Sequence, residues 1–461
     1  MAEQDLRLEH DSMGAVAVPA TAPWGAQTQR ALDNVRLSPR RLPAEFIAAL
    51  ALIKWAAARA NGELAGLDPA RAAAISAAAL EIAAGAEPSG FPLDVFQTGS
   101  GTSSNMNVNE VIARRASLAL GTAVHPNDDV NRSQSSNDCV PTALSVATAL
   151  AVERTLLPAL AHLRATIAAR IEELDALVKT GRTHLMDAVP LTVGQEWSAW
   201  QQQVADCEAR FAATRPRLLR LAQGGTAVGT GLNAPAGFGA RVATLIAEHT
   251  GLPFVPHPNP FAALACQDTS VELSGQIRVA AVMLGKIAGD VRLMNSGPLT
   301  GLGEISVPAL QPGSSIMPGK VNPVVAEAVA MAVAELIGKD AAIAAAAQLG
   351  AFQLNMGLPL IAANLLESIE LVAQAARALA DQVLAGLTVN AARLAEALAR
   401  NPVLITALNP LIGYEAGARI AKEAYASGEP ILEVAVRVTG RPREQLAALL
   451  DPRHLTRGGN A

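Results

Sequence analysis

Eleven residues, Gly313-Ser314-Ser315-Ile316-Met317-Pro318-Gly319-Lys320-Val321-Asn322-Pro323, crowd small, hydroxyl, cationic and helix-starting side chains into one stretch. Asn322 is a favoured N-cap residue and Pro323 a favoured first helical residue, so the spacing predicts a helix running on from Val324. The free N–H groups and partial positive charge of that helix start, with the Lys320 ammonium, would hold a carboxylate. Ser314 or Ser315 would stand beside it, placed to do chemistry, and Glu327 falls in the first turns of the same helix. Three other segments repeat the design. Thr98–Asn105 precedes the helical pattern near Glu110, His125–Asp138 precedes a helix expected to begin near Pro141, and Gly181–Ala188 runs to Pro190 and opens a long helix. One such loop is ordinary, since hydroxyl and amide residues cap helices everywhere. Four of them in an otherwise apolar chain point to an anionic ligand.

Such loops need a rigid frame, and the rest of the chain supplies helices. The 461 residues are 51% hydrophobic but only 3% aromatic, so the core is built from Ala, Leu, Val and Ile, which suits closely packed helices. Leu273, Ile277, Ala280, Leu284, Ile287, Val291 and Met294 alternate steps of four and three, as do Leu365, Ile369, Val372, Ala376, Leu379 and Val383. Helices of 25 to 30 residues would be roughly 40 Å long, which points to an all-α long-helix bundle. Val279, Val282 and Met283 lie off the first stripe, so that helix needs several neighbours, with burial by other subunits the first reading and a monomeric bundle the second. Pro216 reads as a late kink or end in the pattern from Gly194 to Leu221, and Pro158 as an interruption in the pattern from Pro141 to Leu174. Gly229–Ala234 imitates a dinucleotide fingerprint, but no strand precedes it. Shorter patterns after Val389 break at Pro402, Pro410, Gly428 and Pro442. The expected division is an N-terminal domain (1–134), a central long-helix domain (135–388) and a small C-terminal helical domain (389–461).

A net charge of −5 argues against nucleic acid as partner. Cys139, Cys207 and Cys266 are far apart, without metal spacing or a disulfide framework, which suits a reducing compartment. The polar stretch Met1–His10 has no apolar signal core, and apolar runs such as Ala341–Ala347 are far shorter than the roughly 20 residues that span a bilayer. The expectation is a cytoplasmic protein, with neither cofactor nor metal.

Together the loops resemble the fumarase/aspartase superfamily, whose signature Gly-Ser-Ser-x-x-Met-Pro-x-Lys-x-Asn-Pro fits Gly313–Pro323 throughout. Within it the chain is similar to the class II fumarases: Gly319 stands where aspartate ammonia-lyases show alanine, and Gln97–Asn107 and Ser133–Asp138 read as the fumarase versions. The resemblance runs from Asp11-Ser12-Met13-Gly14 and Trp24–Gln29 to Thr406–Pro410 and Ile412-Gly413-Tyr414, nearly the whole chain. It implies three domains, a homotetramer built around central helices, and active sites whose loops come from three subunits. It also implies a metal-independent hydration of fumarate to S-malate, a tricarboxylic acid cycle step.

By the same resemblance Ser314 is the base, His184 activates or protonates the leaving water, and Glu327 pairs with His184. Ser100, Gly101, Thr102, Ser135, Ser136, Asn137, Thr183, Ser315, Lys320, Val321 and Asn322 would bind the substrate carboxylates. His125, Pro126, Asn127 and Asp128 match a second, outer dicarboxylate site. Some relatives carry a longer loop with basic residues there; this chain has only Gly121-Thr122-Ala123-Val124, so an anion site and a purely structural loop both stay open. Met186 stands where many relatives have glutamine. The alternatives are an aspartate ammonia-lyase or related C4-dicarboxylate lyase, and a helical oligomer of the same fold without activity.

Overall fold

The structure, a computed structural model, describes residues 5–457. Residues 1–4 of the polar N-terminus and residues 458–461 of the expected C-terminal domain lie outside the described residues. Leu6-Arg7-Leu8-Glu9 alternates apolar and polar, the period of a strand, and β1 (Leu6–Asp11) pairs antiparallel with β2 (Gly14–Pro19). Helices then dominate: α1 (Ala26–Asn34), α2 (Ala44–Leu64), α3 (Pro69–Ala83), α4 (Thr102–Leu120), α5 (Ser136–Ala151) and α6 (Leu157–Leu174). A second hairpin, β3 (Val178–Thr183) and β4 (Met186–Thr192), leads into α7 (Val193–Leu218). After it come α8 (Phe238–Thr250), α9 (Pro260–Ala265), α10 (Asp268–Met294), α11 (Val324–Ala347) and α12 (Leu358–Ala378). The chain continues through α13 (Ala391–Ala399), α14 (Asn409–Ile412), α15 (Tyr414–Ser427), α16 (Ile431–Thr439), α17 (Arg443–Leu449) and α18 (Pro452–Leu455). The architecture is the mainly helical, long-helix one.

The chain divides into two compact units. The first holds the residues up to Pro158, Ala209–Ala281 and Ala334–Ala373; the second holds Ala159–Glu208, Val282–Val333 and the chain from Gln374 onward. The two apolar stripes read from the sequence are both buried, from Leu273 to Met294 on α10 and from Leu365 to Val383 on α12 and its extension. Of the off-stripe residues on α10, Met283 is buried within the chain, whereas Val279 and Val282 are exposed. The segment after Val389 has its own core, in which Leu404, Ile405, Leu408, Ile420, Val434 and Leu446 pack together.

Two local expectations are corrected. The helix expected near Pro141 begins at Ser136, because Ser135 and Asp138 form a capping box and Pro141 is taken up inside the helix. Pro158 does not interrupt its pattern. A wider π turn over Val152–Leu156 contains Arg154, whose carbonyl the proline ring would otherwise strike, and the helix runs on to Leu174. The stretches Ser136–Leu174 and Leu358–Leu384 are also long and apolar enough, by length and composition, to cross a membrane, although no uninterrupted apolar run is. Their most apolar windows are 56% and 72% buried inside the protein, as core helices are.

One cap comes from far along the chain. Gly25, at the start of α1, has no side chain to offer the free N–H groups. Glu110 of α4 accepts from the N–H groups of Gly25 (3.0 Å), Gln27 (2.8 Å) and Thr28 (3.1 Å), and from Thr28 Oγ1 (2.6 Å). Burial pushes the Glu110 carboxyl above its usual range, against the pull of these donors.

Candidate active site

The expected site residues fall into two sets, one in each unit. In the first unit they gather at two helix starts. Gly101 sits at φ +77° ahead of α4, and a Cβ there would lie 2.8 Å from Val140, so only glycine allows this approach to α5. The Ser100 and Thr102 hydroxyls bond each other at 2.8 Å, and Gln97 Oε1 accepts from the N–H and hydroxyl of Ser104. At α5, Ser135 N donates to Asp138 Oδ1 (2.9 Å) and the Ser135 hydroxyl accepts from Asn137 N (3.2 Å). Asn137 Nδ2 donates to Ala227 O, and the other carboxylate oxygen of Asp138 collects the N–H groups of Gly224 and Thr226. The Gly-rich segment 223–234 therefore braces α5 rather than a nucleotide. Asn105 Nδ2 donates to the Ser136 hydroxyl at 2.9 Å, which joins the two helix starts directly.

Beside this set, His125 Nδ1 accepts from the N–H groups of Asn127 (3.3 Å) and Asp128 (3.1 Å), and Asp129 pairs with Arg71. Pro126–Val130 forms a single π turn. An open cleft of about 590 Å³ runs past His125 and Pro126, with Arg7, Trp24 and Arg114 among its walls.

The second unit carries Thr183, His184, Ser314, Ser315, Lys320, Val321, Asn322 and Glu327. The segment expected as a loop before a helix is instead the β3–β4 hairpin. Thr183 pairs with Met186, leaving His184 and Leu185 as a two-residue turn with φ of +55° and +63°. Such a turn normally takes Asn-Gly; here an imidazole and a leucine are held in left-handed backbone and exposed. The hairpin base is fixed by a buried ion cluster. Lys179 Nζ lies 2.9 Å from Glu196 and 2.7 Å from Glu304, and Glu304 also pairs with Arg182. Burial raises the Glu304 pKa, but Arg182 and Lys179 outweigh it and hold the carboxyl below its usual range. Sequence reading missed this cluster. Lys179 and Arg182 stand near His184, but nothing in the sequence ties them to a carboxylate 125 residues away.

The Gly313–Pro323 loop closes on itself. Gly313 N donates to Lys320 O (2.8 Å) and Asn322 Nδ2 donates to Gly313 O (2.8 Å). Asn322 thus spends its side-chain donor on loop closure. The first helical hydrogen bond of α11 runs from Glu327 N to Pro323 O, so proline takes the capping position expected for asparagine. Within the loop the Ser314 hydroxyl oxygen accepts from Ile316 N (3.2 Å) and Met317 N (3.0 Å). Two N–H dipoles aimed at one oxygen are what a serine alkoxide needs for stabilisation. Ser315, Lys320, Val321 and Glu327 are exposed. Neither His184 nor Glu327 makes a side-chain hydrogen bond to another described residue of the chain, and apolar Leu185, Met186 and Ile316 stand exposed beside the site residues of their loops.

A helical lyase with hydroxyl- and amide-lined helix starts, a hairpin-borne histidine and a self-closed serine loop is the class that fold and site define. A family model described as lyase matches residues 14–338, and one described as fumarase C C-terminus matches residues 404–457. The fumarate hydratase class II 2 of Pseudomonas aeruginosa is 54% identical over 455 residues, covering 99% of each chain. The fumarate hydratase class II of Xylella fastidiosa is 55% identical over 453 residues, 98% of this chain and 96% of that one. The crystal structure of class II fumarase from Schistosoma mansoni superposes with a TM-score of 0.95 at 37% identity, covering 98% and 99%. The chain belongs to the class II fumarate hydratase family.

Proposed function

We propose that this protein is a fumarate hydratase, adding water reversibly across the double bond of fumarate to give S-malate. The observation that carries the reading is 54% and 55% identity to two class II fumarate hydratases over 99% and 98% of this chain. In the hydration direction, water activated by His184 attacks one alkene carbon. The electron pair moves to the other alkene carbon and into the carboxylate it bears, as the doubly negative aci form, and Ser314 delivers a proton to that carbon. In reverse, Ser314 as alkoxide removes this weakly acidic proton. The N–H groups of Ile316 and Met317 stabilise the alkoxide, and the helix starts with Lys320 stabilise the aci-carboxylate.

Ser100, Gly101, Thr102, Ser135, Ser136, Asn137, Thr183, Ser315, Lys320, Val321 and Asn322 hold the two carboxylates. The working form is a homotetramer of three-domain subunits, with each site drawn from three of them. The exposure of His184, Glu327 and the apolar residues around them on a single chain supports this reading. No metal takes part, and the enzyme works in the cytoplasm as a step of the tricarboxylic acid cycle. At the outer site His125 is a loop-ordering residue, since its Nδ1 is already occupied by two backbone donors.

The test is the ultraviolet absorbance of fumarate incubated with purified protein and a chelator, with and without ammonium. Fumarate should disappear without ammonium and S-malate should form. Loss only with ammonium would make the protein an aspartate ammonia-lyase instead. Glu327→Gln should lower turnover by about 10²-fold, because His184 loses the carboxylate that orients its ring. Turnover within about twofold of wild type would remove the pair from the mechanism.

A further inference from the structure

We propose that Lys54 is a positioning residue for substrate binding, holding the starts of α4 and α5 together as one carboxylate cradle. The inference rests on the reading that Ser100–Thr102 and Ser135–Asn137 bind the substrate. Lys54 lies midway along α2, among Leu50, Ile53, Ala57 and Ala58, and is fully buried. Its hydrogen bonds go to Asn131 Oδ1 (3.0 Å), Gln134 Oε1 (3.0 Å) and Cys139 Sγ (3.4 Å), which take up the three donors of an ammonium. All three acceptors lie in or next to the segment that presents Ser135, Ser136 and Asn137.

The connection to α4 runs through Asn131. Its Oδ1 also accepts from Asn105 Nδ2 (3.2 Å) and Asn109 Nδ2 (3.1 Å), and Asn105 donates in turn to the Ser136 hydroxyl. Asn105 lies one turn into the helix that starts at Thr102. One buried cation therefore sets a chain of contacts from the Ser100–Thr102 loop to the start of α5. Two turns further along α2, Asn61 grips the same loop: its amide donates to Arg132 O (2.9 Å) and accepts from the Ser133 hydroxyl (2.7 Å), with Ser133 at φ +64°. Stability alone does not call for this arrangement. An apolar side chain of similar length would suit the surroundings of Lys54 without desolvating a charge, and the hub leaves Asn105 Oδ1 and Asn109 Oδ1 buried without a partner. What the lysine adds is a fixed geometry between two anion-binding helix ends.

The experiment measures kcat and KM for fumarate, inhibition by the saturated dicarboxylate succinate, thermal midpoint and assembly state. The variants are Lys54→Met, Asn105→Ala, Asn137→Ala and Thr102→Ala. Lys54→Met should raise KM and the succinate inhibition constant together by about tenfold or more, with kcat within about threefold, since one charge-assisted contact is of that scale. Asn105→Ala, which keeps the lysine but cuts the link to Ser136, should shift both constants the same way. A lowered midpoint with KM unchanged would make Lys54 a structural residue and overturn the proposal. So would a fall in kcat alone. If Lys54→Met does not fold, Asn105→Ala decides by the same split. Unchanged KM in Asn137→Ala and Thr102→Ala would instead overturn the underlying site reading, and this proposal with it.

Discussion

Ser314→Ala should lower turnover by about a thousandfold or more, with the helical content and assembly of the wild type retained. The size follows from what the hydroxyl does in the proposed mechanism: no other group in the Gly313–Pro323 loop has two N–H donors converging on a basic oxygen. The retained fold follows from the loop's closures, Gly313 N to Lys320 O and Asn322 Nδ2 to Gly313 O, neither of which uses the serine side chain. Ser315→Ala is the matched comparison. Ser315 is exposed, and its loss should act mainly on KM. Steady-state rates in both directions check this. Near-normal turnover in Ser314→Ala would end its assignment as the base, and a larger loss in Ser315→Ala would move the role one residue along.

The second large effect is on stability. Lys179→Met should cost about 3–5 kcal/mol, because it removes one partner of a buried cluster and leaves Glu304 and Glu196 facing each other without it. The cluster also makes the protein acid-sensitive. Glu304 titrates below its ordinary value of 4.5 in the folded chain, so its contribution is full above about pH 4.5 and is lost as the pH falls through the lowered value. Urea midpoints of both proteins at neutral pH check the first point, and wild-type midpoints stepped downward from pH 5 check the second. The wild type should change little between neutral pH and pH 5 and lose stability below about pH 4.5 as Glu304 takes up its proton. A loss below about 1 kcal/mol at neutral pH would mean that Arg182 alone sustains Glu304.

The serine loop was legible because its chemistry is contiguous: hydroxyls, lysine and a helix start stand within eleven residues. The long helices were legible because Leu273 to Met294 and Leu365 to Val383 keep one face apolar, and that face is the buried one. The hairpin bearing His184 was not, since a left-handed turn made of His-Leu lacks the asparagine or glycine that announces one. The start of α5 could have been found, as Ser135 and Asp138 have the spacing of a capping box, but Pro141 drew the boundary further on. The role of Lys54 had no sequence signal. A lone lysine in an apolar helix reads as a residue that reaches solvent, and its partners lie 77 to 85 residues away.

The cap that Glu110 gives to α1 orders events in time. The carboxylate is 82 residues further along the chain than Thr28, so a nascent chain emerging from the N-terminus holds α1 without its anchor for roughly 4–16 s at the usual pace of translation. Over that interval Trp24 to Asn34 is a short, weakly helical segment held only by the β1–β2 hairpin, through Arg30 to Asp11 and Arg7 to Trp24 O. The first helix in the sequence is thus completed only after the fourth has been made.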